Sequence, residues 1–250
     1  METIVNISMV TYNRLHLTKQ SIQSVLDNTK YPYILTVVDN NSTDGTQDYL
    51  KELHNRKLIK NLILLDKNIG VAKASNLGWQ MEDSLYYMKF DNDMIVLKDN
   101  WLNDLITTID NVKEIGVIGY SVEGKRYQMT KIGNYNFQIN SSIGGACFLV
   151  PERIRVKMGY WCEDFKEYGE EDAEYCWRVR HFGFHSAYMD DMHTLVHKDD
   201  NIDSSYRTFK DNCRMENLKS FWKVAKDNYK FVECKTKLED YKNFIYTGNL

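Results

Sequence analysis

Tyr33-Ile34-Leu35-Thr36-Val37-Val38-Asp39-Asn40-Asn41-Ser42-Thr43-Asp44-Gly45-Thr46 is the stretch that decides the fold. Tyr33–Val38 is a run of β-branched, aromatic and leucine residues and predicts a strand. Asp39–Gly45 holds only turn formers and stops that strand abruptly. From about Thr46 to His54 the pattern turns helical. The same order recurs on either side. Ile4–Val10 predicts a strand, Thr11–Arg14 a polar turn, and Leu15, Ile22, Val25 and Leu26 an apolar helical stripe. Leu62–Leu65 leads through the turn Asp66–Gly70 into a helix over Val71–Glu82, and the strand Leu85–Phe90 ends at Asp91-Asn92-Asp93. Strand–helix alternation predicts an α/β fold with a mainly parallel sheet covered on both faces. In such sheets ligands collect at the carboxyl ends of the strands. The polar clusters at Thr11–Arg14, Asp39–Asp44, Asp66–Gly70 and Asp91–Asp93 each follow a strand, so they converge on one edge.

The second half is less regular. Trp101–Val112 predicts a helix, Gly116–Tyr120 a strand, and Tyr127–Asn140 a hairpin. Gly144-Gly145 leads into a buried strand, Ala146–Val150, stopped by Pro151. Glu170–His181 reads as a helix with acids in its first turn and Arg178, Arg180 and His181 in its last, as the macrodipole favours. His185–Tyr188 and Thr194–Val196 are short strands. From Tyr206 onward ten Lys/Arg face six Asp/Glu among many aromatics.

Composition narrows the function. The 250 residues are 43% hydrophobic and 27% charged, the balance of a globular chain. A net charge of −3 provides no basic field for nucleic acid. The five cysteines include no C-x-x-C pair, which fits reduced thiols better than a disulfide framework or zinc site. No apolar run approaches the roughly 20 residues of a spanning helix. Met1-Glu2-Thr3-Ile4 runs straight into a strand with no basic leader region. The expected location is cytoplasmic.

Four groups of residues could carry chemistry. Asp91 and Asp93 stand one residue apart after an apolar strand, where both can reach one oxygen-ligated cation, Mg2+ or Mn2+; a solvated turn explains them equally. The Asp39–Thr46 cluster either caps the following helix or offers an acid to a base or ribose. Glu170-Glu171-Asp172 either caps a helix or supplies a group that takes a proton from an attacking hydroxyl. His193 and His197 lie near strand ends as candidate third metal ligands.

Taken together, these residues resemble the inverting glycosyltransferases of family 2, which have the Rossmann-like GT-A fold with a smaller antiparallel part on the acceptor side. The resemblance runs from about Val5 to His197. It rests on Val10-Thr11-Tyr12-Asn13-Arg14, Val38–Thr46, Asn68-Ile69-Gly70-Val71-Ala72-Lys73-Ala74-Ser75-Asn76, Phe90–Asp93, Gly144-Gly145-Ala146 and Glu171-Asp172-Ala173-Glu174, in the family's order. It implies a domain over 1–205 with a helical extension over 206–250. By resemblance Thr11, Asn13 and Arg14 would line the nucleotide pocket, with Asp39 on the uracil or thymine edge and ribose and Asn41, Ser42 and Asp44 beside it. Asn68, Gly70, Lys73 and Asn76 would approach the base and diphosphate. Asp91 would face the ribose or donor sugar and share the cation, Asp93 would bind it directly, and His197 would complete its site. Gly144 and Gly145 would leave room for sugar.

Glu171–Arg178 resembles the E-D motif of bacterial rhamnosyl- and related transferases, with Asp172 as general base and Glu171 as the alternative. The activity implied is metal-assisted transfer, with inversion, from a UDP- or dTDP-type sugar to a glycan, lipid-linked or protein acceptor. Two rivals stand beside it. A sugar-1-phosphate nucleotidyltransferase would normally carry a Gly-rich basic loop after the first strand, and Val10–Arg14 has no glycine. A non-catalytic sugar-nucleotide-binding module would have no need of Asp93 and Asp172. Phe209, Cys213, Leu218, Phe221, Trp222 and Val224 with Lys219, Lys223 and Lys226 read either as a helix packed on the domain or as a basic–aromatic surface in peripheral contact with membranes.

Overall fold

The computed structural model describes residues 5–121, 129–191, 193–198, 204–227 and 231–248. The expected strand start at Ile4, the Tyr127 end of the hairpin and the polar loop from Asp199 fall outside them. The sequence opens as the alternation predicts: β1 (Val5–Thr11), α1 (Leu15–Asn28), β2 (Ile34–Asp39), α2 (Thr46–Asn55), β3 (Asn61–Leu64), α3 (Val71–Gln80) and β4 (Tyr86–Phe90). A three-residue strand β5 (Met94–Val96), α4 (Trp101–Asn111) and β6 (Ile115–Tyr120) follow. The hairpin β7 (Met129–Ile132) and β8 (Tyr135–Asn140) precedes β9 (Cys147–Pro151) and α5 (Glu152–Met158). Then come α6 (Glu171–His181), β10 (His185–Met189), β11 (Leu195–His197) and α7 (Ser204–Asp227), and a 3-10 helix over Leu238–Phe244.

The main sheet runs β3-β2-β1-β4-β9-β6-β10-β8-β7, and a small antiparallel pair joins β11 to β5. β1, β2, β3 and β4 are parallel, as are β6 and β10, while β9 is antiparallel to both β4 and β6. This is the expected mainly parallel sheet with a smaller antiparallel part.

Burial on both faces explains the strand composition. One face packs Ile22, Val25, Leu50, Leu53, Leu102 and Leu105 from α1, α2 and α4 onto Ile7, Val37 and Met88. The other gathers Trp79, Tyr87, Phe148, Trp161 and Tyr175, with the Trp161–Tyr175 ring centres 5.0 Å apart. Each buried aromatic of this kind removes about 150–250 Å² from water, so this cluster dominates the packing of α3, α5 and α6. The five cysteines are buried and free. No helix among the described residues is long and apolar enough to cross a membrane.

Candidate active site

The carboxyl ends of β1 and β2 are laced together. Thr11 is fully buried and its hydroxyl donates to Asp39 Oδ2 at 2.9 Å. Asp39 Oδ1 accepts from the Ser42 N–H at 2.8 Å and from Gln47 Nε2 at 2.9 Å. Asn13 N–H donates to Ser42 Oγ (2.7 Å) and Asn13 Oδ1 accepts from Thr43 N–H (2.8 Å). Asn13, Arg14 and Asn41 have φ of 55°, 62° and 72°. Side chains other than glycine rarely hold that left-handed region, and such strain collects at functional sites.

Asp44 lies within this lattice as a cap. Its Oδ2 accepts from the Leu15 N–H at 2.8 Å and its Oδ1 from the Thr46 hydroxyl at 2.6 Å, binding the starts of α1 and α2 together. Burial works against ionisation of Asp44, but the bonds from Thr46 and Leu15 hold its pKa below the ordinary value.

Arg14 crosses to the next strand end, where its Nη1 donates to Asp93 Oδ2 at 2.9 Å. His197 Nε2 stands 3.3 Å from the same oxygen. The small sheet produces this meeting, because His197 of β11 pairs with Met94 of β5, directly after Asp93, and the Lys198 N–H donates to the Asp93 carbonyl. Burial opposes ionisation of Asp93, yet the bond to His197 and the charges of His197, Arg14 and Lys210 hold its carboxyl below the ordinary range. Its second oxygen, Oδ1, is buried with no hydrogen-bond partner among the described residues. A buried carboxylate oxygen without a partner is costly unless something charged meets it. Together with an adjacent imidazole, it fits a divalent cation.

Asp91 does not join that pair. Its Oδ1 is held at 2.5 Å by Lys89 Nζ, and among the described residues no three acidic, histidine or cysteine side chains close around one point. Of the expected trio, the structure brings Asp93 and His197 together and pairs Asp91 with Lys89. His193 stays outside as well: it is exposed, and its N–H bonds to Asp191.

Lys89 organises the opposite wall. It is 3% exposed, and its ammonium also donates to the Gly145 carbonyl at 2.9 Å. The Gly145 N–H in turn donates to Asp172 Oδ2 at 2.9 Å, so Lys89 and Asp172 act on the two backbone groups of one residue. A Cβ at Gly145 would lie 3.1 Å from the Lys89 ammonium and 3.5 Å from the Asp172 Cβ, a gap suited to glycine. Gly144 N–H donates to the Tyr188 hydroxyl at 2.6 Å. Burial works against the Lys89 charge, but Asp91, Glu171 and Asp172 outweigh it and raise its pKa.

Glu170, in the left-handed region at φ 74°, turns the chain into α6 and delivers Glu171 and Asp172 side by side. Glu171 is 6% exposed; burial first, then the Asp172 charge, push its carboxyl up to about 7 against the lowering pull of Lys89. Asp172 is half-buried.

Four expected residues lie apart from Asp91, Asp93 and Asp172, although Asn40, next to Asp39, accepts from the Ile69 N–H at 2.9 Å and ties the Asn68–Gly70 loop to the end of β2. Asn76 is fully buried, and its amide is engaged by the Trp161 N–H, the Trp161 carbonyl and Glu163 Oε1, at 3.0, 3.0 and 2.7 Å. It fastens the loop after α5 to α3. Asn68, Gly70 and Lys73 line a cleft of about 590 Å³ with Phe165 and Glu167, and none of Asp91, Asp93 or Asp172 reaches it. The loop before α6 forms its wall. The Glu167 carbonyl accepts from the Val71 N–H, and Gly70, at φ 88°, lets the Glu167 Cα come within 3.0 Å of where a Cβ would stand. On the side of the acids the same loop carries Tyr168. Its burial, then the charges of Asp91, Glu171 and Asp172, raise its pKa.

Lys89, Tyr206 and Lys210 were not singled out from the sequence. Tyr206 and Lys210 come from the first turns of α7, with the Lys210 ammonium 4.5 Å from the centre of the Tyr168 ring and 5.2 Å from that of Tyr206. Tyr206 feels the charges of Arg14, Asp93 and Asp91. The start of α7 thus sets the Lys210 ammonium over the Tyr168 ring of the loop before α6.

A mainly parallel sheet whose strand ends gather acids, amides and left-handed turns has the architecture of an α/β protein that binds its ligand at the carboxyl edge. The chain belongs to glycosyl transferase family 2, whose pattern it matches over residues 7–169. It is 26% identical over 119 residues to a putative teichuronic acid biosynthesis glycosyltransferase, TuaG, of Bacillus subtilis, covering 48% of this chain and 47% of that protein. To an uncharacterized glycosyltransferase of Haemophilus influenzae it is 25% identical over 122 residues, 48% of this chain and 37% of the relative. The matched part thus spans less than half the length of these relatives. Among solved structures, the mannosyltransferase PcManGT of Pyrobaculum calidifontis in complex with GDP-Man and Mn2+ superposes with a TM-score of 0.63 at 16% identity, over 84% of this chain and 60% of that one. TarS of S. aureus in complex with UDP-GlcNAc gives 0.62 at 15%, over 80% and 60%. These likenesses establish the GT-A fold.

Proposed function

We propose that the chain transfers a sugar from a nucleoside-diphosphate donor of the UDP or dTDP type to an acceptor hydroxyl, with inversion, in the synthesis of a surface glycan or glycoconjugate. The observation that carries this reading is the pairing of Arg14 and His197 with Asp93 just after β4, while Lys89 of the same strand joins Gly145, whose N–H is held by Asp172. Thr11, Asn13, Asp39 and Ser42 form the nucleotide end, where Asp39 Oδ2 has acceptor capacity left beyond its bond from Thr11. Family membership and the nucleotide sugars in the two related structures support the donor class. The name of the Bacillus relative supports the glycan product.

Asp93 and His197 would hold a Mn2+ or Mg2+ ion, which when bound stabilises the departing diphosphate. Arg14 and Lys210 add positive charge on the same side. Asp172 takes the proton of the attacking hydroxyl: its Oδ2 is anchored by the Gly145 N–H and its half-buried carboxylate faces the small residues 144–145. Glu171, behind it and buried, sets the local field. A positioned base of this kind contributes about 10²–10⁴ in rate. Incubation with Mn2+, a panel of sugar nucleotides and simple acceptors tests the reading. Release of nucleoside diphosphate with formation of an inverted glycoside is expected. Pyrophosphate release would assign a nucleotidyltransferase, and binding without turnover a non-catalytic module.

A further inference from the structure

Helix α7 has two apolar faces, and only one of them is covered. On the inner face Cys213 and Asn217 are buried, and Asn217 bonds to the Lys166 N–H and to the Tyr168 and Gly169 carbonyls at 2.8, 3.0 and 2.8 Å. On the outer face Met215, Leu218 and Trp222 are 56%, 46% and 68% exposed. Their spacing of three and four residues puts them on a single stripe. Lys219, Lys223 and Lys226, all exposed, border it, and none forms an ion pair with a described residue. Helix α7 carries six Lys/Arg against three Asp/Glu in a chain whose net charge is −3, so this element has a cationic excess.

We propose that the outer face of α7 docks on an anionic lipid surface, with the helix lying in the headgroup plane. Met215, Leu218 and Trp222 would enter the acyl boundary while the lysine ammoniums reach up to phosphates. A tryptophan whose ring is apolar and whose N–H needs a polar partner suits that boundary. Charge complementarity selects this occupant. A second copy of the chain, paired about a two-fold axis, would set the same lysines against each other.

The inner face gives the docking a consequence. Asn217 holds the loop that carries Tyr168, Arg214 Nε donates to Glu170 Oε1 at 3.2 Å just ahead of Glu171, and Lys210 stands at the site. Docking would therefore bring the edge of the candidate site to the membrane, where an acceptor hydroxyl on a lipid carrier is presented. This last step rests on the transfer reading; the docking does not.

Co-sedimentation with vesicles tests docking without any sugar. Vesicles of equal parts phosphatidylcholine and phosphatidylglycerol should bind the chain, and pure phosphatidylcholine vesicles far more weakly. Each lysine near an anionic surface is worth about fivefold in partitioning, so K219Q/K223Q/K226Q should lose about a hundredfold. L218A/W222A should lose about tenfold or more, and quenching of fluorescence by brominated lipid should fall in W222F. Circular dichroism and nucleotide binding should match the parent, since none of these side chains touches the site. Equal binding by parent and variants, or no binding of the parent to the anionic vesicles, overturns the proposal. Self-association of the parent that W222A abolishes would assign the face to a second copy and overturn it as well. Vesicle binding without transfer to any acceptor would retain docking and sink the transfer reading alone.

Discussion

Replacing Glu171 by glutamine should stabilise the protein at neutral and alkaline pH. Glu171 begins α6, is 6% exposed, and has Asp172 beside it. Burial and that neighbouring charge lift its carboxyl from the ordinary 4.5 to about 7, with Lys89 limiting the rise. A carboxyl whose folded pKa lies above its unfolded one holds its proton more tightly in the native state. Its favourable contribution is complete below about 4.5 and is lost as pH rises through about 7. At about 1.4 kcal/mol per pH unit, the full loss is about 3 kcal/mol. Glutamine has no proton to lose, so Glu171→Gln escapes that cost. Urea unfolding followed by tryptophan fluorescence, run in parallel at pH 5 and pH 8, should show the variant gaining about 3 kcal/mol over the parent between the two, equivalent to about 5–10 °C in midpoint temperature at pH 8. A difference between variant and parent that stays flat with pH, or one that favours the parent at pH 8, would refute the buried-carboxyl argument.

Asp172→Asn should leave nucleotide binding intact and lower turnover by about a hundredfold or more, read from nucleoside diphosphate release under saturating donor. Lys89→Met should cost about 3 kcal/mol of stability in urea titration, because the Gly145 carbonyl loses its donor while the partly exposed Asp91 can return to water. Asp93→Asn should weaken the response of donor binding to added Mn2+ by about tenfold or more, measured by calorimetry. Asn76→Ala should cost about 2–4 kcal/mol in stability while leaving donor affinity unchanged, since its bonds all go to Trp161 and Glu163.

How much of this was legible depends on the range of the interaction that fixes each feature. Strand ends and the turns after them are local events, so β1, β2, β3 and β4 and their polar ends followed from β-branched runs meeting Asn, Asp and Gly. The parallel order followed as well, because alternating strands and helices allow few connections. Asp44 had two readings, and in the structure its oxygens accept from Leu15 and Thr46 as a cap does. The meeting of His197 with Asp93 followed from the family resemblance alone, since no local pattern signals it. It depends on β11 crossing to a strand of three residues, and so short a pairing leaves no periodic trace. Tyr206 and Lys210 were hidden for the same reason, as their place at the site is set by the packing of α7. Asn76 misled because its position in a motif says nothing about which way an amide turns.

Lys89 is different, because its signal was present and was passed over. In a parallel strand covered on both faces every position is buried, so a lysine inside Tyr86–Phe90 must find counter-charges within the fold. The nearest acid in sequence is Asp91, and the ammonium meets it at 2.5 Å. That bond explains why the two aspartates of the Asp91–Asp93 pair divide their work. Asp91 is matched by a fixed internal cation, whereas one buried oxygen of Asp93 has no hydrogen-bond partner among the described residues. It follows that Lys89→Met should free Asp91 to compete for an added divalent ion, raising the apparent number of metal-binding carboxylates from one to two. Should Mn2+ affinity in that variant stay unchanged while stability falls, Lys89 is a prop for the Gly145 turn and the division between the two aspartates has another cause.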